Sequence, residues 1–449
     1  MRAPASAHLA IERHDLLAVA PPPRLVVWEL PFWLMLLYIA LTPGSVSPLW
    51  NWGGIPVRSA EAVVLIGAAW YVPAALVLRR AWRSWPAVWI LLAPMVAVLA
   101  YAALSTGWNG LDDNDTAAMQ MTLLFATACP LVAWAVAGGY TRNELYHFIW
   151  RLTVFMALLS VLYSAESILS LGLRSELGQN TLLDFGIERV RGPLYGSSTG
   201  YLALLPALAF SIQHVIDVHS RRMIGVGVVL ALLLALLGLG SRAALLLLAV
   251  YLLLLSFLIK SARKRAIAVI LMVVLTVLAA TVVFSQASTD RLQTFEDDSR
   301  RATHVTAWRT LESMELADTI RGAGYGGIWN WYLTDALNGE RLATGDNLIR
   351  TAVGTSLYHS HSTLLEMGME LGLPGLIAFG LMTSGFLMTV VQCWRRGVLQ
   401  AFSCGLLATG LGLVFDLFLF KNTTVNLIWW FYALSMLMLA GAARDKEQA

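Results

Sequence analysis

The sequence predicts an all-α, polytopic membrane protein with about twelve transmembrane helices and one large polar loop. Of its 449 residues, 58% are hydrophobic and 13% are charged, and the mean hydropathy is +0.66. Soluble domains do not have this composition, whereas proteins that cross a membrane many times do. Apolar runs alternate with short polar segments along the chain, and residues 286–362 form the single long polar stretch.

Apolar runs long enough to span a bilayer justify each predicted helix. They lie at roughly 25–43, 59–78, 86–104, 117–137, 147–172, 195–217, 222–240, 242–259, 266–285, 363–392, 399–418 and 423–442. One pair is separated only by Gly240-Ser241-Arg242. A single helix over both runs is excluded, because it would extend about 57 Å at ~1.5 Å per residue.

Basic residues orient these helices. With the N-terminus in the cytoplasm, the inside loops hold most of the arginines and lysines and the short outside loops hold few, as the positive-inside rule requires. We therefore expect a cytoplasmic N-terminal tail at 1–24, transmembrane helices 1–9 at 25–285, a largely helical periplasmic loop domain at 286–362, transmembrane helices 10–12 at 363–442 and a cytoplasmic tail at 443–449.

Charge and cysteine content exclude several classes of protein. The net charge of +3 is too small to indicate a nucleic-acid partner. None of the three cysteines lies in the polar loop, so we expect neither a structural disulfide nor a cysteine metal site. The loop has no Asp-x-Asp pair and the chain no His-x-x-x-His motif. His359 and His361 are candidates for a zinc site, but a third ligand is not obvious. We expect no metal and no cofactor.

The polar loop ends in a stretch, 357–375, that leads into an apolar helix. Thr363 and Glu366 have the spacing of a capping box, which places the helix start near residue 363. His361 then lies just before a helix N-terminus, where an anion is favoured and a positive imidazole is disfavoured. A neutral imidazole beside an anion site is a candidate general base. The alternative is a polar helix entry at a membrane interface.

The loop itself contains a predicted surface helix and a glycine-rich turn. Val305, Trp308 and Leu311 recur at helical spacing between residue 297 and about residue 317, which indicates an amphipathic helix. The glycine-rich segment 321–327 follows a helix and precedes an aromatic run, not a strand-to-helix turn. We therefore predict a helix-ending turn there and not a phosphate loop.

Charged residues gather at the predicted outer level of the membrane. They are Glu166, Arg191, Arg242, Arg291, Arg300, Arg301, Arg309, His361, Asp416 and Lys421. Ionisable residues at membrane depth are costly and mark functional sites by default. Guanidinium groups bind phosphate oxygens bidentately, so several arginines near one histidine suit a diphosphate substrate. For each arginine taken alone, contact with lipid headgroups is the favoured explanation.

Three segments carry a family resemblance. Residues 361–375 match the pattern of His, then Asn or Ser, an apolar helix turn and Glu-x-Gly-x-x-Gly; Arg191-Gly192-Pro193 and Gly240-Ser241-Arg242-Ala243 match two further patterns. With these motifs and the predicted topology, the chain resembles the O-antigen ligase and polymerase family of bacterial membrane glycosyltransferases. In such proteins an arginine often stands four residues before a loop tryptophan, whereas here His304 holds that position before Trp308.

The resemblance implies an inverting transfer, without a metal, of a glycan from undecaprenyl diphosphate to a sugar hydroxyl. We favour a ligase, whose acceptor is lipid A–core, because all three segments are present. A polymerase with the same donor, a protein O-glycosyltransferase and a lipid-linked glycan transporter are the alternatives. The implied location is the bacterial inner membrane, among its lipids, with the active site facing the periplasm.

The resemblance and the charge pattern together assign roles to individual residues. His361 is the expected catalytic residue, and it matches the family spacing to Glu370 better than His359 does. The residues expected to bind the diphosphate are Arg191, Arg242, Arg301 and Arg309. Supporting roles are assigned to His359, Glu370, Tyr195 and Lys421.

Overall fold

A computed structural model gives the architecture of the chain. It describes residues 33, 34, 36, 50–52, 55–57, 86–106, 142–169, 183, 184, 187, 188, 200–218, 222–239, 241–258, 304, 307, 308, 311, 312, 314–325, 360, 362–412 and 423–448. Most of these residues are helical, which confirms the predicted helical character.

The helices with assigned bounds in this part of the chain are, in order, α1 Pro86–Thr106, α2 Arg142–Leu169, α3 Tyr201–Asp217, α4 Arg222–Gly238, α5 Arg242–Leu258, α6 Leu316–Arg321, α7 Thr363–Arg396, α8 Gln400–Leu411 and α9 Thr423–Gln448. Two short antiparallel ribbons accompany them. Their strands are β1 Trp50–Trp52 with β2 Ile55–Val57, and β3 Leu183–Asp184 with β4 Ile187–Glu188.

Helices α3 and α9 form the centre of the bundle. Every residue of α9 from Leu427 to Ala440 is buried, as are nearly all residues of α3 from Tyr201 to His214. A helix that is apolar on all sides needs neighbours on all sides. Accordingly, α3 packs against α2, α4, α8 and α9, and α9 packs against α1, α2, α3, α7 and α8.

Polar side chains link the packed helices. The hydroxyls of Thr153 in α2 and Tyr432 in α9 lie 3.0 Å apart, and the Trp429 indole N–H donates to the Thr409 hydroxyl at 2.9 Å. Between helices inside a membrane such hydrogen bonds contribute about 0.6 kcal/mol on average. They therefore fix which helix faces meet, while packing supplies most of the stabilisation.

The outer faces of the helices are apolar, as a lipid environment requires. Leu158, Leu234, Phe257 and Leu381 are all more than half exposed. Two segments of the described chain, Asn143–Ala165 and Thr363–Arg396, are long and apolar enough to cross a bilayer, and shorter apolar helices accompany them. These features fit a membrane protein.

The described helices coincide with eight of the predicted spans. Those spans are 86–104, 147–172, 195–217, 222–240, 242–259, 363–392, 399–418 and 423–442. Apart from helical residues 33, 34 and 36, the spans at 25–43, 59–78, 117–137 and 266–285 lie outside the described residues. The number twelve, the domain boundaries and the orientation stay predictions.

The close pair of runs at 222–259 is two helices. Helix α4 ends at Gly238 and α5 begins at Arg242. Between them, the Ser241 hydroxyl accepts the backbone N–H of Ala244 at 3.3 Å, which caps the start of α5. The predicted break is therefore confirmed, with a serine as the residue that starts the second helix.

The predicted surface helix of the loop is interrupted before its expected end near residue 317. Its described residues are helical as far as residue 312, but the chain bends at Met314 and Glu315 is extended, with φ −60° and ψ 151°. The chain then re-enters a helix as α6. Ala307 is buried against Met369 of α7, whereas Trp308 is exposed and its indole N–H donates to Glu312 at 2.6 Å.

Candidate active site

The entrance of α7 is a buried, hydrogen-bonded polar turn. Ser360 and Ser362 are both buried, and the Glu366 side chain is buried with them. The Glu366 Oε2 atom lies 3.3 Å from the backbone nitrogen of Ser360 and 3.0 Å from its hydroxyl oxygen. The same hydroxyl lies 2.8 Å from the Ser362 carbonyl and accepts the Ser362 N–H at 3.2 Å. The residues on both sides of position 361 are thus held in place.

The predicted capping box is wrong, although the helix does begin at Thr363. Ser362 is the N-cap residue, and its hydroxyl accepts the Leu365 N–H at 3.4 Å. Because the cap lies one residue earlier than predicted, Glu366 falls one position beyond the reach of a capping box. Its carboxylate instead contacts Ser360, outside the helix.

Helix α7 is broken at Gly372, its tenth residue. Gly372 has φ 56° and ψ −147°, and Pro374 follows. Proline lacks the N–H that would bond the carbonyl four residues earlier, which here is Glu370. Together, the non-helical glycine and the proline interrupt the helix beside the carbonyls of Met369 and Glu370.

The turn after α6 donates hydrogen bonds to these two carbonyls. The Ala323 N–H donates to the Met369 carbonyl at 2.9 Å, and the Gly324 N–H donates to the Glu370 carbonyl at 3.0 Å. The loop and the membrane helix therefore share backbone hydrogen bonds. The prediction that residues 321–327 begin with a helix-ending turn is confirmed, since α6 ends at Arg321 and its C-cap residue Gly322 has φ 81°.

Two glycines make this close approach feasible. A Cβ atom on Gly322 would meet the Glu370 carbonyl and the Gly372 nitrogen, and a Cβ atom on Gly372 would meet the Gly322 nitrogen and the Ile320 carbonyl. Both glycines also have positive φ angles, which side chains disfavour. We refer to the joined segments 321–325 and 369–374 as the glycine junction.

Helix α1 holds the glycine junction from the other side. The Tyr101 hydroxyl donates to the Arg321 carbonyl at 2.8 Å. The Tyr325 N–H donates to the Ser105 hydroxyl at 3.0 Å. Residues 321–325, near the middle of the large loop, are therefore held between α1 and α7 at the level of the helix break.

Glu370 is a second buried carboxyl group on α7, one helical turn after Glu366, and both side chains are almost fully buried. Residues four apart lie on the same helix face. Burial, and then the nearby charge of Glu370, raises the pKa of Tyr325 well above its usual value. Tyr325 therefore remains a protonated phenol beside Glu370 throughout the physiological pH range.

Most of the predicted site residues lie outside the described part of the chain. Glu370 is placed at the helix break, and Arg242 begins α5 without a described side chain. The predicted residues outside the description are Arg191, Tyr195, Arg301, Arg309, His359, His361 and Lys421. The convergence of the arginines on His361 stays a prediction. Among the residues that are described, no three His, Cys, Asp or Glu side chains form a metal-binding group.

Sequence reasoning missed Tyr101, Ser105 and Tyr325 as partners in this region. The sequence does contain a Gly-x-Gly turn and a Gly-x-Pro helix break, and each of these needs hydrogen-bond partners for its backbone groups. Nothing in the sequence showed that the turn would donate to the carbonyls at the helix break.

A comparison with protein families finds a match to part of the chain. The family model described as O-antigen ligase matches residues 226–380. The matched segment runs from α4 to the middle of α7 and contains the polar turn and the glycine junction. A search of the curated proteins found no match. Residues 226–380 therefore match the O-antigen ligase family, which confirms the resemblance drawn from the motifs.

Proposed function

We propose that this protein is an O-antigen ligase that transfers a glycan from undecaprenyl diphosphate to a sugar hydroxyl of lipid A–core. The family match indicates O-antigen ligase-type glycan transfer in a membrane. We also propose the identity of the donor and the acceptor, inversion at the anomeric carbon and independence of metal ions. They follow from the family resemblance and from the types of residue present.

The observation that carries the proposal is the match over residues 226–380, because it contains the polar turn that leads into α7. Ser360 and Ser362 are buried and hydrogen bonded on either side of position 361. A fixed backbone on both sides of a histidine suits a catalytic group, since its productive orientation has to be maintained.

In the proposed reaction, His361 acts as the general base. Its neutral imidazole accepts the proton of the acceptor hydroxyl while that oxygen attacks the anomeric carbon of the glycan. The bond between this carbon and the diphosphate oxygen breaks, and the electron pair leaves with undecaprenyl diphosphate. Attack from the face opposite to the leaving group inverts the anomeric configuration.

Arginines stabilise the departing diphosphate in this scheme. Arg191 and Arg242 are the first candidates, with Arg301 and Arg309 on the loop. Negative charge grows on the diphosphate as the bond breaks, and preorganised cations stabilise that charge most where water is excluded. The orientation predicted from basic residues puts these groups at the periplasmic face of the bacterial inner membrane.

A reconstituted transfer assay tests the proposal. Purified protein is incubated with undecaprenyl-diphosphate glycan, with or without lipopolysaccharide that lacks O-glycan, and the products are separated on a gel. A ligase gives extended lipopolysaccharide only when both substrates are present. Longer lipid-linked glycan from the donor alone would instead establish a polymerase, and no new glycosidic bond in either mixture would contradict glycosyl transfer.

A further inference from the structure

Glu366 is a buried carboxyl group that the proposed reaction does not yet use. Its side chain is 3% exposed. It belongs to the first turn of α7, where the backbone N–H groups and the helix dipole favour a negative charge. A buried carboxylate is costly unless polar groups surround it. The polar turn provides such groups.

The Glu366 carboxylate is directed towards the segment that precedes α7. Capping of α7 is performed by Ser362, whose hydroxyl accepts the Leu365 N–H and whose carbonyl accepts the Glu366 N–H. The Glu366 carboxylate reaches back to the backbone N–H and the hydroxyl of Ser360. Glu366 therefore holds the segment just before the helix.

The hydroxyl of Ser360 stands between two acceptors. It carries one proton, so it donates either to Glu366 at 3.0 Å or to the Ser362 carbonyl at 2.8 Å. The charge of a carboxylate strengthens the first of these bonds. When the hydroxyl donates to Ser362, the Ser360 N–H still faces Glu366. In either arrangement, Glu366 restrains the residue that immediately precedes His361.

We propose that Glu366 is a positioning residue for glycan transfer, acting through Ser360 to hold the turn that carries His361. The inference rests on the proposed function, because it assigns His361 the catalytic role. Glu366 itself is not expected to contact the substrate. Its effect should therefore appear in the turnover number and not in the affinity for the donor.

Four single variants and one double variant test this role in the reconstituted transfer assay. Glu366→Gln keeps the shape and one acceptor oxygen, Glu366→Ala removes the contact, and Ser360→Ala removes the hydroxyl but keeps the backbone N–H. Glu315→Gln is the matched control, because this glutamate is exposed on the same loop and its side chain does not cap α6. The measurements are kcat, the donor KM and the apparent unfolding temperature in detergent.

Loss of orientation by about 1 Å can cost about 100-fold in rate. We expect kcat to fall about 100-fold in Glu366→Ala and about 10-fold in Glu366→Gln and Ser360→Ala. The donor KM should stay within about twofold and the unfolding temperature of Glu366→Gln should match the wild type. In the double variant Ser360→Ala with Glu366→Gln, the losses should be less than multiplicative, because both act through the same contact. Glu315→Gln should behave as wild type.

Failure of this inference differs from failure of the proposed function. If His361→Ala abolishes transfer while both Glu366 variants keep wild-type kcat, the positioning role is overturned and the proposed function stands. If Glu366→Ala does not fold, Glu366→Gln and Ser360→Ala decide, and a normal kcat in both overturns the inference. The inference is also overturned if kcat falls only in variants whose unfolding temperature falls. It is likewise overturned if the fall in kcat is matched by an equal rise in donor KM. If the wild type itself transfers no glycan, the proposed function fails first.

Discussion

At the scale of single residues, the diphosphate is the most demanding part of the proposed substrate. Arginine suits it because the guanidinium group is planar, stays charged and donates two parallel hydrogen bonds to phosphate oxygens. Lysine offers the same charge as a compact group without that fork. The difference between the two side chains separates a specific diphosphate site from ordinary contact with lipid headgroups.

Arg191→Lys and Arg242→Lys should each lower the rate of glycan transfer. Lysine keeps the positive charge, but it should not restore the full wild-type rate. Each charged hydrogen bond contributes about 1.5–3 kcal/mol, so the Arg→Ala variants should lose about 10- to 100-fold in kcat/KM, with Arg→Lys in between. Initial rates at matched protein amounts measure this. Arg263→Lys, in a predicted cytoplasmic loop, is the control and should retain full activity. Lysine variants with wild-type turnover would show that these arginines only contact headgroups.

The residues around the start of α7 show what local sequence can and cannot predict. The helix was predicted to start near residue 363 and it starts at Thr363, although the capping box behind that prediction is not formed. The cap was assigned one residue too late, since Ser362 and Thr363 have equivalent side-chain chemistry and the spacing to Glu366 favoured the wrong one. Which hydroxyl caps the helix depends on the backbone of the turn, which the sequence alone does not define.

At the scale of secondary-structure elements, the central feature is the break in α7 that the glycine junction completes. An interrupted membrane helix has to find partners for its freed carbonyls, because the hydrocarbon interior contains no water. The N–H groups of Ala323 and Gly324 provide them. Residues 321–325 of the loop are therefore hydrogen bonded to the helix that follows the loop.

Alanine at Gly322 or Gly372 should destabilise the protein. A Cβ atom at either position meets backbone across the glycine junction, and both positions have positive φ angles. Strain of this kind costs about 1–3 kcal/mol per residue, so the apparent unfolding temperature in detergent should fall. Gly380→Ala, in the same helix with no atom within 4 Å of its Cβ position, is the control and should be neutral or stabilising. Equal unfolding temperatures for all three variants would contradict the assigned packing.

Hydropathy predicted eight of the described helices but not the shape of α7. The run at 363–392 was predicted as a spanning helix with no break specified, whereas Gly372 leaves helical geometry. Glycine and proline occur in many membrane helices without breaking them, because neighbouring groups compensate. Whether the helix breaks depends on a partner that approaches it, and here that partner is some fifty residues away in sequence.

At the scale of the whole molecule, two almost fully buried helices, α3 and α9, organise the bundle, and the loop attaches at one end through α1 and α7. The composition predicted the class of protein because burial in a bilayer requires apolar residues over most of the chain. The partners that meet at the glycine junction were not predictable, since Tyr101, Arg321 and Glu370 are brought together only by tertiary packing.

The predicted topology has a direct test in intact cells. A cysteine introduced as Asp335→Cys, within the loop 286–362, should react with a thiol reagent that does not cross membranes when it is added to intact spheroplasts. The loop is expected outside, because basic residues gather in the alternate loops. The unsubstituted protein is the control, because it shows the background labelling of the three native cysteines, of which Cys393 and Cys404 are buried. Labelling that occurs only after lysis would place the loop in the cytoplasm.

The role of His361 is the central claim, and the transfer rate of His361→Ala tests it most directly. Loss of a general base costs about 100- to 10,000-fold, so the variant should fail to transfer glycan while it remains folded and binds the lipid-linked donor. His359→Ala should keep most of the activity. The wild-type rate should also fall as the pH is lowered, because a protonated imidazole cannot accept the hydroxyl proton. Near-normal transfer by His361→Ala, at matched protein amounts and with a chelator present, would contradict the account.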